Sequence, residues 1–202
     1  MHSEYNSGAF SSYIADIQSI YRDINSPYDF NPVNEDASNQ RYWELGFFDP
    51  LLDGNFTKYF MFVNRRCVPE TSPGVGDLRQ LKVKFNGSQL AGFNNWAIID
   101  VSTNQIVVTI SRTSNSYYDF GTFNPGEGRL YKIFPAFIKG GELVTDEDIS
   151  GKSITCLDTI INNGYNITID SGSTISFTDS AAIIMNGGTF TSGALGGIKY
   201  RQ

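Results

Sequence analysis

The sequence predicts a mainly β chain: an antiparallel β-sandwich preceded by one N-terminal helix and followed by a short β-solenoid-like segment. Three observations carry this reading. Apolar and polar residues alternate through much of 41–134. Turn pairs such as Asp53-Gly54 and Asn86-Gly87 separate the alternating runs. From Asn163 onward, apolar residues and turn pairs recur about every eight residues. The expected division is an N-terminal helix and linker over 1–38, the sandwich over 39–142, and a solenoid-like segment over 143–202, begun and not finished.

The helix is expected over 9–25, "AFSSYIADIQSIYRDIN". Ile14, Ile17, Tyr21 and Ile24 fall at spacings of three and four, with Ile20 beside them. Ser11 or Ser12 can cap its start. Ser26 precedes a proline and is pushed out of the α region, which ends it. The Pro- and Asn-rich "PYDFNPVNEDASNQ" then reads as a linker.

The sandwich strands follow. Trp43, Leu45 and Phe47 alternate, and Tyr59 to Val63 is apolar on both faces, as in a central strand. "RQLKVKF" points Leu81, Val83 and Phe85 one way and Gln80, Lys82 and Lys84 the other. "WAIIDV" and "NQIVVTISR" meet at a Ser-Thr-Asn turn, and "RLYKIF" ends at Pro135. The expected core contains Met61, Val63, Leu81, Val83, Ile98 and Val108. In the last segment Ile167 and Ile169, Ile175 and Phe177, and Ile183 and Met185 repeat one pattern. A coil takes roughly 20 to 25 residues, so about two coils are expected, where about three are needed for stability. The last strands should leave an open end.

Three motifs, "YFMFVNRRC" at 59–67, "DLRQLKVKF" at 77–85 and "NPGEGRLYKIF" at 124–134, resemble a β-sandwich domain of large secreted bacterial proteins. There the sandwich closes a glycoside-hydrolase-like barrel, and a β-helix often follows. The resemblance implies an extracellular or cell-surface location within a longer secreted protein, and a carbohydrate-associated accessory role. It carries no catalytic residue onto this chain, because the family's carboxylates lie on barrel strands and no barrel is present here. "MHSEYNSGAF" does not read as a signal peptide.

Composition narrows the functional classes. The chain has 202 residues, 40% apolar and 18% charged, with a net charge of −6. That balance disfavours nucleic acid, which demands clustered Lys and Arg. No run of about 18 apolar residues suggests membrane insertion. His2 is the one histidine, so triads and histidine-ligated metals are not expected. No metal site or cofactor is expected. Cys67 and Cys156 lack metal-type spacing and read as free, buried thiols or as a disulfide.

Glycoside hydrolysis needs two placed carboxylates. Asp49, Asp53, Glu70, Asp77, Asp119 and Glu127 all sit beside turn residues, and no spacing singles out a pair. "TDEDISG" at 145–151 lacks EF-hand spacing and reads as a solvated acidic linker. "NPGEG" lacks the Lys-Ser/Thr of a phosphate loop. Adjacent strand residues face opposite ways, so Arg65 and Arg66 read as structural: one pairs with Asp49, Glu70 or Asp77, the other lies over Tyr59 or Trp96. The carbohydrate-binding candidates are Trp96, Tyr117, Tyr118 and Asp119, with Phe120 beside them. Their rings either stack on sugars from a polar loop or cap the end of the sandwich core. The candidate partners are therefore a glycan, and a second molecule at the C-terminal solenoid end.

Overall fold

The computed structural model describes residues 14–22, 43–48, 58–65, 78–90, 92–170, 172–193 and 197–200. The chain divides into two compact units, one within 1–49, 58–89 and 115–131, the other within 50–57, 90–114 and 132–202. The architecture is mainly β, with antiparallel pairing in the N-terminal part and three parallel sheets in the C-terminal part.

In the first unit, β1 (Ile14–Arg22), β4 (Leu78–Phe85) and β7 (Tyr117–Phe123) form an antiparallel sheet with β4 central. β2 (Trp43–Phe48) pairs antiparallel with β3 (Lys58–Asn64), and β3 is flanked by β8 (Gly128–Pro135), whose residues 128–131 belong to this unit. The two layers meet through aromatic rings. Phe62 of β3 lies 5.4 Å from Phe120 of β7, Phe60 lies 6.1 Å from Phe85 of β4, and Trp43 meets Phe123 edge-on at 5.1 Å. Such edge-to-face geometry places a positive ring edge on a negative ring face.

The N-terminal helix expectation is overturned. Its described part, Ile14 to Arg22, is a strand paired along β4. The physical reason is a bulge. Ile14 lies opposite Phe85 and Asp16 opposite Lys84, so Ala15 is an extra residue. One inserted residue puts Ile14 and Ile17 on the same face, and both are buried. A spacing of three therefore imitated helical periodicity. The remainder of the 9–25 segment and the linker after it lie outside the described residues.

The expected core is also partly reassigned. Leu81, Val83 and Ile98 are fully buried, whereas Met61, Val63 and Val108 are only half-buried. β3 buries Phe60, Phe62 and Asn64, the opposite parity, so it is not the strand covered on both faces. That role belongs to β5 (Asn95–Asp100) in the second unit, whose residues 95–99 are all buried. β5 lies between β8 and β6 (Gln105–Ser111), and Ala97 and Ile99 pack with Ala136 and Phe134. Ala136 opens α1 (Ala136–Lys139), the one α-helix among the described residues.

The rest of the second unit is a three-sided coil. β9 (Gly141–Glu142), β12 (Ile160–Asn162) and β15 (Ile183–Met185) form one parallel side. β10 (Glu147–Asp148), β13 (Asn166–Ile169) and β16 (Thr189–Ser192) form the second. β11 (Ser153–Cys156), β14 (Thr174–Phe177) and β17 (Gly197–Tyr200) form the third. Three coils are present where about two were expected, because the repeat is legible only from Asn163 onward and the first coil, from Gly141, lies before it. The eight-residue period is the length of one side, not of one coil. Ile160, Ile167, Ile169, Ile175 and Phe177 fill the middle coil and are buried.

Stacked turns hold the coils in register. Asn162 is buried, donates to the Tyr165 carbonyl at 2.8 Å and accepts from its N–H at 2.9 Å. On the outer surface Asn186 donates to Asn163, and Thr189 to Asn166. Gly188 has φ +75°, and a methyl group there would overlap the Tyr165 carbonyl of the coil beneath.

Cys156 is free and fully buried, and burial pushes its thiol pKa up to about 12. Cys67 lies outside the described residues. In a Cys67→Ser background, Cys156 should resist alkylation at pH 8 in native buffer and react fully in denaturant. Native labelling as fast as that of a free thiol would contradict this packing.

Candidate functional site

The aromatic candidates do not form an exposed loop platform. Tyr117 and Tyr118 are half-buried residues of β7, and Phe120 is a core residue facing Phe62 and Tyr131. The Tyr117 hydroxyl donates to Asp16, and the Lys84 ammonium lies 5.2 Å from its ring centre. Asp119 is exposed, accepts the Gly121 N–H at 2.8 Å and accepts from Gln80. Trp96, in the other unit, is 3% exposed, and its indole N–H donates to the Phe93 carbonyl at 2.8 Å.

Arg65 is exposed and lies 3.9 Å from Glu44, a pair too solvated to contribute more than about 1 kcal/mol. Arg66, Asp49, Asp53, Glu70 and Asp77 lie outside the described residues.

The residue that ties a loop down from the end of β3 is Asn64, which the sequence reading passed over. It is fully buried and donates to the carbonyls of Phe123 and Asn124, both at 3.2 Å. Its backbone N–H donates to the Glu127 carbonyl and its carbonyl accepts from Gly126, both at 2.9 Å. "NPGEG" is thus a turn clamped by Asn64. Glu127 accepts from Arg129 Nε at 2.6 Å and from the Asn124 N–H at 2.7 Å. Burial pushes the Glu127 carboxyl up, but these donors outweigh it and hold its pKa below the ordinary value. Arg129 also donates to the Phe120 and Thr122 carbonyls and lies 4.0 Å over the Phe123 ring. Asn64→Ala should cost about 1–3 kcal/mol in chemical denaturation, since the clamped carbonyls lose their donor. An effect below about 0.5 kcal/mol would contradict the clamp.

The two ends of the coil stack are chemically unlike. At the first coil, "TDEDISG" is not a linker but forms β10, and Glu147 occupies the inward position aligned with Ile167. Glu147 is 1% exposed. Its two oxygens accept the backbone N–H groups of Asn94 and Asn95, each at 2.8 Å, and the Asn95 side-chain amide at 2.6 Å. Asn95 in turn donates to the Thr145 carbonyl at 3.2 Å and accepts the Val144 N–H at 2.9 Å. Burial pushes the Glu147 pKa up, against those three hydrogen bonds and the attraction of Lys152. The side bearing β9 lies beside β6, where a Cβ on Gly141 would come 2.7 Å from Ile106 Cδ1. The side bearing β11 is closed by α1, whose Ile138 carbonyl accepts from Leu157 at 2.6 Å. Each side of the first coil therefore has a neighbour, although β9, β10 and β11 are themselves paired with a strand on one side alone.

The third coil has no such cover among the described residues. β15, β16 and β17 are edge strands, each paired on one side alone. The inward columns end in Ile183 and Phe190, half-buried, and in Met185, 39% exposed, although their counterparts one coil earlier are completely buried.

No family model, curated protein or solved structure matches this chain. Among the described residues no helix is long and apolar enough to cross a membrane, and no group of three His, Cys, Asp or Glu residues is placed to hold a metal.

Proposed function

We propose that this chain is a non-catalytic structural module of an extracellular, carbohydrate-associated bacterial protein. The observation that carries the reading is the unlike treatment of the two solenoid ends, one closed by the chain's own groups and one with no cover among the described residues. An edge of that kind is a template for pairing with further β structure. The two candidate carboxylates among the described residues, Asp119 and Glu127, hold turns, and the buried Glu147 closes a coil. The extracellular, carbohydrate-associated setting rests on the resemblance of "YFMFVNRRC", "DLRQLKVKF" and "NPGEGRLYKIF".

The test is incubation of the purified chain with a panel of polysaccharides, beside affinity electrophoresis in the same glycans. No turnover and no retardation are expected. Turnover abolished by Asp119→Asn or Glu127→Gln would overturn the non-catalytic reading. Retardation lost on Tyr118→Ala would replace it with a carbohydrate-binding role.

A further inference from the structure

We propose that the turn after β4, Asn86-Gly87-Ser88, is a self-modification site, where the Gly87 backbone nitrogen converts the Asn86 amide to a carboxylate; this chemistry stands apart from the structural-module reading. The chain contains three Asn-Gly pairs, Asn86-Gly87, Asn163-Gly164 and Asn186-Gly187. Glycine favours the reaction at each, since no Cβ shields its nitrogen. The sequence treats the three alike, and the structure separates them.

Asn86 follows Phe85, the last residue of β4, and Gly87 to Gln89 form a short 3-10 turn. The Gln89 N–H closes it on the Asn86 carbonyl at 3.1 Å. Ser88 is exposed, and its hydroxyl donates to Asn86 Oδ1 at 2.8 Å. That oxygen gains negative charge as Cγ becomes tetrahedral, so the hydroxyl binds the transition state more strongly than it binds the amide. The reaction needs only water. The Gly87 nitrogen gives its proton to hydroxide and bonds to Asn86 Cγ. The Cγ–Nδ2 bond then breaks, and the nitrogen takes a proton from water and leaves as ammonia. Water opens the resulting cyclic imide at either carbonyl. One product is aspartate, and the other is isoaspartate, whose main chain runs through the former side chain. Either adds a negative charge at neutral pH. The isoaspartate also lengthens the main chain by a methylene between the buried residues Phe85 and Leu90.

The other two pairs are held by the coil stack. Asn163 donates to Glu142 and accepts from Asn186 at 3.0 Å, so both ends of its amide are engaged. Ring closure there breaks both bonds. Asn186 shares the second of them, and its backbone N–H donates to the Asn162 carbonyl at 2.8 Å. The two turns are in contact, with a Cβ on Gly187 placed 3.5 Å from Gly164 Cα. Corners packed in this way resist the rotation that brings Cγ onto the next nitrogen.

Timed incubation of the full chain in mildly alkaline buffer, native and in urea, tests the proposal. Peptide mass mapping reads the exchange of amide for acid, and enzymatic carboxyl methylation reads isoaspartate. In native buffer Asn86 should convert at least about tenfold faster than Asn163 and Asn186, whose hydrogen bonds must first break. In urea the three rates should become comparable. Ser88→Ala should slow the native conversion of Asn86 about threefold to tenfold, the worth of one exposed hydrogen bond, and slow it less in urea. Ser88→Thr keeps the hydroxyl and should keep the rate. Ser88 is exposed, and circular dichroism of both variants confirms that the fold persists. An Asn86 that stays intact, native conversion of Asn163 or Asn186 as fast as that of Asn86, or an unchanged native rate in Ser88→Ala would overturn the proposal.

Discussion

Phe62→Ala should destabilise the chain by about 3–5 kcal/mol, the usual cost of removing a fully enclosed aromatic ring. Phe62 has no exposed surface, and its ring centre lies 5.3 Å from Phe60, 5.4 Å from Phe120 and 5.9 Å from Tyr131. Its loss empties the space between the two sheets of the first unit. Met61→Ala, one residue earlier and on the half-buried face, should cost about 1 kcal/mol or less. Urea midpoints at unchanged slope measure both. A larger loss at Met61 than at Phe62 would mean that β3 presents its other face to the core, since a one-residue slip exchanges the faces of a strand.

Glu147→Ala should cost about 3–5 kcal/mol, because it strands three donors in a buried site. These are the N–H groups of Asn94 and Asn95 and the Asn95 amide. The loss should open the first coil, with hydrogen exchange accelerating at residues 144–148. The site also titrates. Burial holds the folded-state Glu147 pKa above 4.5, so the folded chain binds this proton more tightly than the unfolded chain does. The resulting stabilisation is fully present below pH 4.5 and is lost as pH rises through the folded-state value. Glu147→Gln has no such titration. The stability of the native protein relative to Glu147→Gln should therefore decline as pH rises above 4.5. A difference that increases with pH would show that the three donors outweigh burial.

Much of the β architecture was legible because its signals are local. Leu81, Val83 and Phe85 alternate with polar residues in β4, and all three are buried, together with Arg79. The solenoid period was legible because each side repeats an apolar pair and a turn. Three features escaped for identifiable reasons. The bulge at Ala15 gave two strand residues a helical spacing. The run Tyr59 to Val63 is apolar on both faces, so composition could not say which parity turns inward. Tertiary packing settled that with Phe60, Phe62 and Asn64. The buried Glu147 sits between Asp146 and Asp148, which are exposed, and an acidic triplet reads as solvated surface. Nothing in the local sequence shows that Asn94 and Asn95 supply its donors from about fifty positions away.

The aromatic candidates escaped differently. "NSYYDFGTF" looks like a polar loop because Asn115, Ser116 and Asp119 interrupt it. In β7 those residues surround a strand whose Phe120 and Phe123 enter the core. Trp96, beside turn residues in sequence, is enclosed in the second unit, where its indole N–H is satisfied by Phe93. Asn64 was a quieter signal. A polar residue closing an apolar strand, with a Pro-Gly turn elsewhere in the chain, is the pattern of a side chain that replaces water for the turn's carbonyls.

The central claim is that the solenoid is closed at its first coil and, among the described residues, uncovered at its third. Amide hydrogen exchange of the full chain, followed residue by residue, tests this most directly. The account expects slow exchange at Val144, Glu147 and Ile149 and throughout β12 to β14. It expects fast exchange at the alternate amides of β15 and β16 that point away from the middle coil. Exchange at the first coil as fast as at the third, or full protection of every amide in β15 and β16, would contradict it.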